Sequence, residues 1–446
     1  MSNETAGAAG SGNSVARVVL ASFIGTTIEW YDFFLYGTAA ALDFRQLFFP
    51  ALDPVAGTMA SFATYLVGFF ARPVGGIVFG HFGDRMGRKS MLVTTLTLMG
   101  TATFLIGFLP TYDQIGVAAP VLLVILRIIQ GFGVGGEWGG AVLMVVEHGH
   151  ARRRGLYASW VQAGVPAGLL LANAAFSLFS RLPEEAFLSW GWRIPFLFGI
   201  GLLGVGLFIR LQIYESPLFA KVRDRKQQAK VPFFEVLRRH PRNVVLAIGA
   251  RMAENGAFYL FTVFVLTYAT ANLKLPKTMV LNCVLAASAV QFFAIPLFGM
   301  LSDSVGRRPV YLGGALALAA FAFPFFRMVD TASTIGIGLA IAIGLVAQSA
   351  MYAPQAAFFS ELFGTDVRYT GASIGYQLAA PLAGGLVPLI CVLLLEWADD
   401  QTWGVSLYLI VLCAITIISV WLAAETHRTS LGDPNEGSAD DADPRG

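Results

Sequence analysis

Twelve stretches of this chain are long and apolar enough to cross a lipid bilayer, and they limit the fold more than any other feature. A crossing takes ~20 residues at ~1.5 Å of helical rise each. The runs fall at about 16–42, 55–82, 91–110, 119–147, 156–180 and 192–212. After a charged stretch, six more follow at 243–270, 280–301, 310–328, 334–359, 371–396 and 404–424. Of the 446 residues 56% are hydrophobic and 13% charged, whereas soluble domains carry about 25% charge. Mean hydropathy is +0.66. Such a chain has too few polar residues to cover a soluble fold, so the sequence predicts an all-α integral membrane protein with twelve transmembrane helices, arranged six plus six.

The segments between the runs set the domain organisation. Residues 1–15 are polar and Gly/Ala/Ser-rich and read as a disordered tail, with no basic start and short apolar core of a cleaved signal peptide. Two six-helix lobes follow, 16–212 and 243–424, joined by a linker at 213–242, and a disordered acidic tail at 425–446 ends the chain. Lys and Arg gather on one set of loops: "GDRMGRKS" (83–90), "HARRRG" (150–155), the linker, "SDSVGRRP" (302–309) and "THRTS" (426–430). By the positive-inside bias these loops and both termini face the cytoplasm of a cell (inner or plasma) membrane. Cys283, Cys391 and Cys413 lie inside apolar runs without a C-x-x-C spacing, so neither a disulfide nor a metal site is expected.

The halves repeat. "GHFGDRMGRK" (80–89) matches "GMLSDSVGRR" (299–308) at a constant offset of 219, aligning Asp84 with Asp303 and Arg88 with Arg307. Both copies join the second and third helix of their half. The glycines permit a tight turn and close helix approach, and the aspartate can meet a helix N-terminus or an arginine. Duplicated six-helix halves point to a two-lobed transporter with its site near the membrane midplane. On helix 4, Gly131, Gly135 and Gly139 form a small-xxx-small ridge suited to close packing.

Six charges lie well inside the runs: Glu29 and Asp32 in helix 1, Arg127 and Glu137 in helix 4, Arg251 and Glu254 in helix 7. Facing lipid, each costs ~3 kcal/mol and the set roughly 18 kcal/mol, more than the ~5–15 kcal/mol that holds a typical protein folded. They therefore face one another or water. Glu29 lies ~20 Å along helix 1 and Arg127 ~12 Å along helix 4 from the opposite side, so a pair between Arg127 and Glu29 or Asp32 is expected. Four acids against two arginines leave a carboxylate without a cation, and such a group favours its protonated form. Glu29 or Asp32 is the expected carrier of a coupling proton, with Arg127 as its switchable partner and Glu137 in the same set. Arg127 and Arg251 also offer planar donors to a substrate carboxylate. Glu254, Tyr36, Gln130, Tyr259, Gln348, Tyr352 and Gln355 join them as candidate substrate contacts; the last three form a stripe at i, i+4 and i+7 on helix 10.

The repeated loop resembles the signature of the major facilitator superfamily. "GTTIEWYDFFLYGTAAAL", "RIIQGFGVGGEWGGA", "WGWRIPF", "ESPLF" and "AAETH" are similar to the metabolite:proton symporter family, which includes shikimate, α-ketoglutarate, citrate and proline/betaine transporters. The resemblance covers residues 16–430. It implies alternating access between two lobes, with the first and fourth helix of each lining a central cavity. It also implies a conformational latch from Asp84, Arg85, Arg88, Glu147, Asp303, Arg307 and Glu361, with Glu147 and Glu361 bridging to Arg88 and Arg307. The expected activity is proton-coupled uptake of a small carboxylate-bearing metabolite, an organic acid or a zwitterionic osmolyte such as proline or betaine. Two other readings stand beside it. Proton-coupled export is disfavoured because "WVQAGVPAG" (160–168) departs from the G-x-x-x-G-P-x-x-G of drug antiporters. A non-transporting sensor would need an output module, which neither tail offers. No H-E-x-x-H, Walker loop or nucleophile elbow is present, so no enzyme and no cofactor is expected. The expected partners are a small solute, a proton and membrane lipids, without nucleic acid, for a monomer.

Overall fold

The computed structural model describes residues 15–179, 181–212, 232–364 and 367–429. Of the tails expected over 1–15 and 425–446, residues 1–14 and 430–446 lie outside the described residues, as does most of the linker, 213–231. Twelve helices have the length and apolarity of membrane spans. They are α1 (Val15–Ala40), α2 (Met59–Met86), α3 (Arg88–Gly107), α4 (Ala118–His148), α5 (Arg154–Phe179) and α6 (Glu184–Leu211) in the first lobe. In the second are α7 (Pro241–Ala271), α8 (Thr278–Val305), α9 (Arg307–Val329), α10 (Thr334–Glu361), α11 (Arg368–Trp397) and α12 (Trp403–Leu422).

Packing repeats between lobes. In the first, α1 lies on α5, α2 on α4, and α3 on α4 and α6; in the second, α7 lies on α11, α8 on α10, and α9 on α10 and α12. The lobes meet through α2 against α11 and α5 against α8, contacts that exchange under the same two-fold relation. The α4 ridge works as its spacing implies. A Cβ at Gly131 or Gly135 would run into the α2 backbone at Gly68 or Arg72, so only glycine lets the two helices come this close.

Two expectations at the edges change. Residues 425–429 are tied down: Glu425 accepts the backbone N–H groups of Arg307 (2.9 Å) and Arg308 (2.9 Å), and Thr426 Oγ1 donates to Glu361 (2.7 Å). The segment supplies acceptors that the start of α9 otherwise lacks, which is why it is not free. Within the linker, Pro232–Arg239 is helical, with Glu235 and Arg239 paired at i, i+4 (2.5 Å).

Candidate functional site

At the end of the bundle that carries the basic loops, the two repeated motifs cross between lobes. Asp84 accepts from Tyr369 N (3.1 Å), Thr370 N (2.9 Å) and Thr370 Oγ1 (2.7 Å) at the start of α11. Asp303 accepts from Gly155 N (2.7 Å) and Leu156 N (2.8 Å) at the start of α5. Each carboxylate fills the orphan donors of a helix N-terminus in the other lobe. Arg88 reaches Asp84 (3.4 Å) and Glu147 (3.5 Å), and Arg307 reaches Asp303 (2.7 Å) and Glu361 (3.2 Å). Two arginines that sequence reasoning missed join the clusters from the opposite lobe, Arg368 on Glu147 (3.3 Å) and Arg154 on Glu361 (3.8 Å). Arg85 does not belong: it is exposed, whereas Asp84 and Arg88 are buried.

Deeper in, an aromatic stack bridges the lobes. The Trp138 and Tyr376 rings lie 3.7 Å apart at 11°. Trp138 Nε1 donates to Gln162 Oε1 (2.8 Å), whose Nε2 donates to the Tyr352 carbonyl (3.0 Å). Arg251 sits on Tyr376 too, its guanidinium carbon 3.0 Å from the ring centroid. Two groups that close must occupy opposite faces, so Tyr376 is clamped between Trp138 and Arg251.

Directly beside this stack lies a chamber lined by Trp30 and Val165 of the first lobe and by Arg251, Glu254, Asn255, Phe258, Tyr259, Gln348, Tyr352 and Tyr376 of the second. Its free volume is about 10 Å³, room for about one water. Five expected substrate contacts therefore converge here: Arg251, Glu254, Tyr259, Gln348 and Tyr352. Glu254 is held by neutral amides, from Gln348 Nε2 (3.0 Å) and Gln355 Nε2 (3.1 Å), and Gln291 supports Gln348 (2.8 Å). Gln355 stands behind the wall and also donates to Tyr311 (2.9 Å). Arg251 Nε and Nη1 and Asn255 Nδ2 are buried without a hydrogen-bond partner. Contrary to expectation, α4 contributes nothing to the lining, and α5 and α11 do.

Arg127 is not in the chamber and is not paired with Glu29 or Asp32. Gly68 leaves the space for its side chain, and the guanidinium carbon lies over Tyr36 (4.2 Å), Phe33 (4.8 Å) and Tyr65 (4.9 Å). Its Nη1 donates to Gln130 Oε1 (3.1 Å), and Gln130 Nε2 donates to Thr103 Oγ1 (2.7 Å). Thr103 in turn donates to the Met99 carbonyl (3.1 Å). The expected direct pair is absent, because α1 turns Asp32 toward Gly199 of α6, beside the Thr103 methyl, while Arg127 is drawn to the rings of α1 and α2. Tyr36, expected at substrate, donates to Thr64 (2.6 Å), and Gln130 is used up between Arg127 and Thr103.

Glu137 also differs. It forms a two-pronged ion pair with Arg210 of α6 and accepts from Thr95 Oγ1 (2.8 Å), inside the first lobe and away from the chamber. Counting two buried arginines was too few. Arg72 and Arg210 are 1% and 3% exposed, which brings buried basic groups level with buried acids. Arg72 was legible as a charge within the apolar run "GFFARPVGG"; it rests on Phe33 (4.3 Å) and Phe69 (4.8 Å). Arg210 stands at a run's end, where it passes for a loop residue. Glu29 lies in the field of Arg72 and Arg210 as well as Glu137.

A two-lobed bundle of twelve span-length helices among the described residues, with a small chamber between the lobes and matched ion clusters at one end, is the architecture of a membrane transporter. Comparisons with known proteins agree. A profile described as "Sugar (and other) transporter" matches residues 18–243, and one described as "Major Facilitator Superfamily" matches 250–442. The chain is 43% identical over 416 residues to the shikimate transporter of Escherichia coli K12, covering 92% of this chain and 95% of the relative. It is 41% identical to the inner membrane metabolite transport protein YhjE of the same strain, over 94% and 96%. To that strain's proline/betaine transporter it is 33% identical, over 95% and 86%. In fold it resembles the proton:xylose symporter XylE, with a TM-score of 0.75, 18% identity and 94% and 97% coverage. The chain belongs to the major facilitator superfamily. It is a multi-pass inner-membrane metabolite transporter and not an enzyme.

Proposed function

We propose that this transporter takes up a small carboxylate-bearing metabolite together with protons. The observation that carries the reading is the set of buried donors in the chamber without acceptors: Arg251 Nε and Nη1 beside Asn255 Nδ2. An orphaned buried cation is costly, and a solute carboxylate supplies what these groups lack, in the two-pronged geometry a guanidinium favours. Glu254, Gln348 and Tyr352 remain to bond hydroxyl or amino groups of the same solute, a pairing that suits both hydroxylated acids and zwitterions. The likeness to transporters named for shikimate and for proline/betaine supports the same class. The proton carrier is one of the two carboxylates on α1, Glu29 or Asp32, each of which is buried with one oxygen lacking a hydrogen-bond partner.

The basic end is the cytoplasmic one by loop charge, and the described chain is then closed toward the cytoplasm through the clusters of Asp84, Arg88, Glu147, Asp303, Arg307 and Glu361. Release of the solute requires those clusters to part. The test is uptake by the purified protein, as a monomer, in proteoliposomes. Labelled shikimate, α-ketoglutarate, citrate, proline and glycine betaine are offered with and without an inward proton gradient. At least one compound accumulates above equilibrium only with the gradient; accumulation of none would overturn the reading.

A further inference from the structure

We propose that the seam between α5 and α8 holds the headgroup of an anionic phospholipid at its basic end. A pocket of about 410 Å³ opens there, lined by His150, Arg152, Arg153 and Tyr157, none of them an acid. Both arginines are exposed, and among the described residues neither guanidinium has a hydrogen bond or an ion pair. The basic groups next to them are matched: Arg154 on Glu361 (3.8 Å), and Arg307 on Asp303 (2.7 Å) and Glu361 (3.2 Å). The closed end is thus held without Arg152 and Arg153, whose charge is left for something outside the chain. Local backbone builds the pocket. Gly149 ends α4, and a Cβ there would run into the Tyr157 ring (2.9 Å). A single turn, Ala151–Arg153, then carries the chain into α5 and rests against α8.

Charge alone would suit any anion; what lies deeper along the same seam selects a lipid. Tyr157 and Trp160 share a face of α5, three residues apart, and Trp160 lies ~10 Å farther along the chain axis than Arg153. Its ring meets Phe23 of α1 (6.0 Å) and Phe292 of α8 (6.2 Å), which also meet each other (6.1 Å). All three rings are only partly buried. Beside them α8 exposes Phe293, Leu297, Leu301 and Val305, a row at four-residue spacing that ends level with the turn. From the basic end inward the order is arginines, tyrosine, then aromatic and aliphatic surface. That is the order of a phosphate, the interface and an acyl chain in a bilayer, and a basic pocket between spanning helices on the side of the basic loops suits an anionic headgroup. A soluble anion would use only the first part. Because α5 and α8 belong to different lobes, a lipid seated here touches both at once.

The purified full chain in a neutral detergent is titrated with phosphatidylglycerol, with phosphatidylcholine bearing the same acyl chains, and with glycerol phosphate. Bound molecules are counted by native mass spectrometry. Phosphatidylglycerol should bind at least about tenfold more tightly than either of the others. Arg152→Gln combined with Arg153→Gln should weaken it roughly thirtyfold and leave phosphatidylcholine unchanged. Both side chains are exposed and unpartnered, so the fold is kept. The control removes two exposed arginines of the same end outside the seam, Arg85→Gln with Arg238→Gln, and should change binding by no more than about twofold, since charges beyond a screening length act weakly. Equal losses in the two double variants would reduce the effect to diffuse surface charge and overturn the site. Glycerol phosphate binding as tightly as the lipid would make this a free-anion site and overturn the lipid. Equal affinity for phosphatidylglycerol and phosphatidylcholine would overturn both.

Discussion

Asp84 in the first lobe and Asp303 in the second do the same work: each accepts two backbone N–H groups at the start of a helix in the other lobe and holds the arginine four residues on. The centres of the two lobes share no such likeness. In the first, Glu137 pairs with Arg210 and Arg127 is caged under three rings, while Glu29, Asp32, Arg72 and Arg127 each keep at least one polar atom without a hydrogen-bond partner. In the second, Glu254 is held by amides and Arg251 rests on a tyrosine with two donors unused. On the function proposed above, matched ends would let the lobes rock against each other, and unmatched centres would divide the chemistry, with charge handling in the first lobe and the solute's polar contacts in the second. That division is sharpest between two buried arginines at opposite extremes of partnering.

Arg210→Met strands the Glu137 carboxylate, and breaking a buried pair costs about 3–5 kcal/mol. The protein should lose most of its folded yield in detergent, and adding Glu137→Met should restore it, since replacing both partners is close to neutral. Arg251→Leu should cost the fold less: Arg251 rests on Tyr376 and bonds Asn255 (3.4 Å), and it reaches Glu254 through its field alone, so most of the folded yield is kept. The affinity for solute, read by equilibrium binding, falls roughly a hundredfold, about 3 kcal/mol for a charge-assisted contact. Equal folding losses from both substitutions would erase the proposed division between the lobes.

What the sequence made legible follows the same split. The spans, the six-plus-six order and the motif pairs could be read because each is a local pattern with a physical period or a constant offset. The partners at the basic end, Arg88 with Glu147 and Arg307 with Glu361, came from the family resemblance, and the structure brings both pairs together. Helix rotation was not legible. Depth put Arg127 level with Glu29 and Asp32, but depth leaves open which way α1 turns its acids, and Asp32 faces Gly199 of α6 instead. Tyr376 and Asn255 were overlooked for another reason: neither carries a charge, so their burial costs nothing conspicuous in the sequence. The exposed Arg85 shows the converse limit, because a motif's spacing does not say which of its basic residues points inward.

A smaller effect tests the matched ends. Asp84→Asn and Asp303→Asn each leave one of the two backbone donors at a helix start without an acceptor and the other on a neutral one, a change of about 1–2 kcal/mol. Each should raise the reactivity of a cysteine placed at Ser373, beside Gly139 at the lobe contact, toward a membrane-impermeant thiol reagent applied from the basic side. The two effects should agree to within about 0.5 kcal/mol, the usual tolerance for independent sites. A latch dominated by one copy would show itself as a response to only one substitution.

The smallest expected effect concerns a feature with no described counterpart, since the matching stretch after α6, from residue 213 onward, lies outside the described residues. Glu425 caps α9 and, through its neighbour Thr426, touches the Glu361 cluster. Burial pushes its carboxyl up, yet bonds from the N–H groups of Arg308, Arg307, His427 and Thr426 outweigh that and hold it below the ordinary range. A depressed carboxylate contributes stability that is fully present above its unfolded value, about 4.3, and is lost as pH falls through its folded value below that. Glu425 is therefore charged throughout the physiological range and acts as a fixed cap, with no part in proton coupling. Glu425→Gln, read in a His427→Gln background that removes the imidazole 3.4 Å from its carboxylate, should lower the thermal midpoint in detergent slightly, by the ~1 kcal/mol a helix cap is usually worth, with the same loss at pH 6 and pH 8. A loss that grew between those two values would place a titrating group in this cap and move part of the pH response from the centre of the first lobe to the closed end of the second.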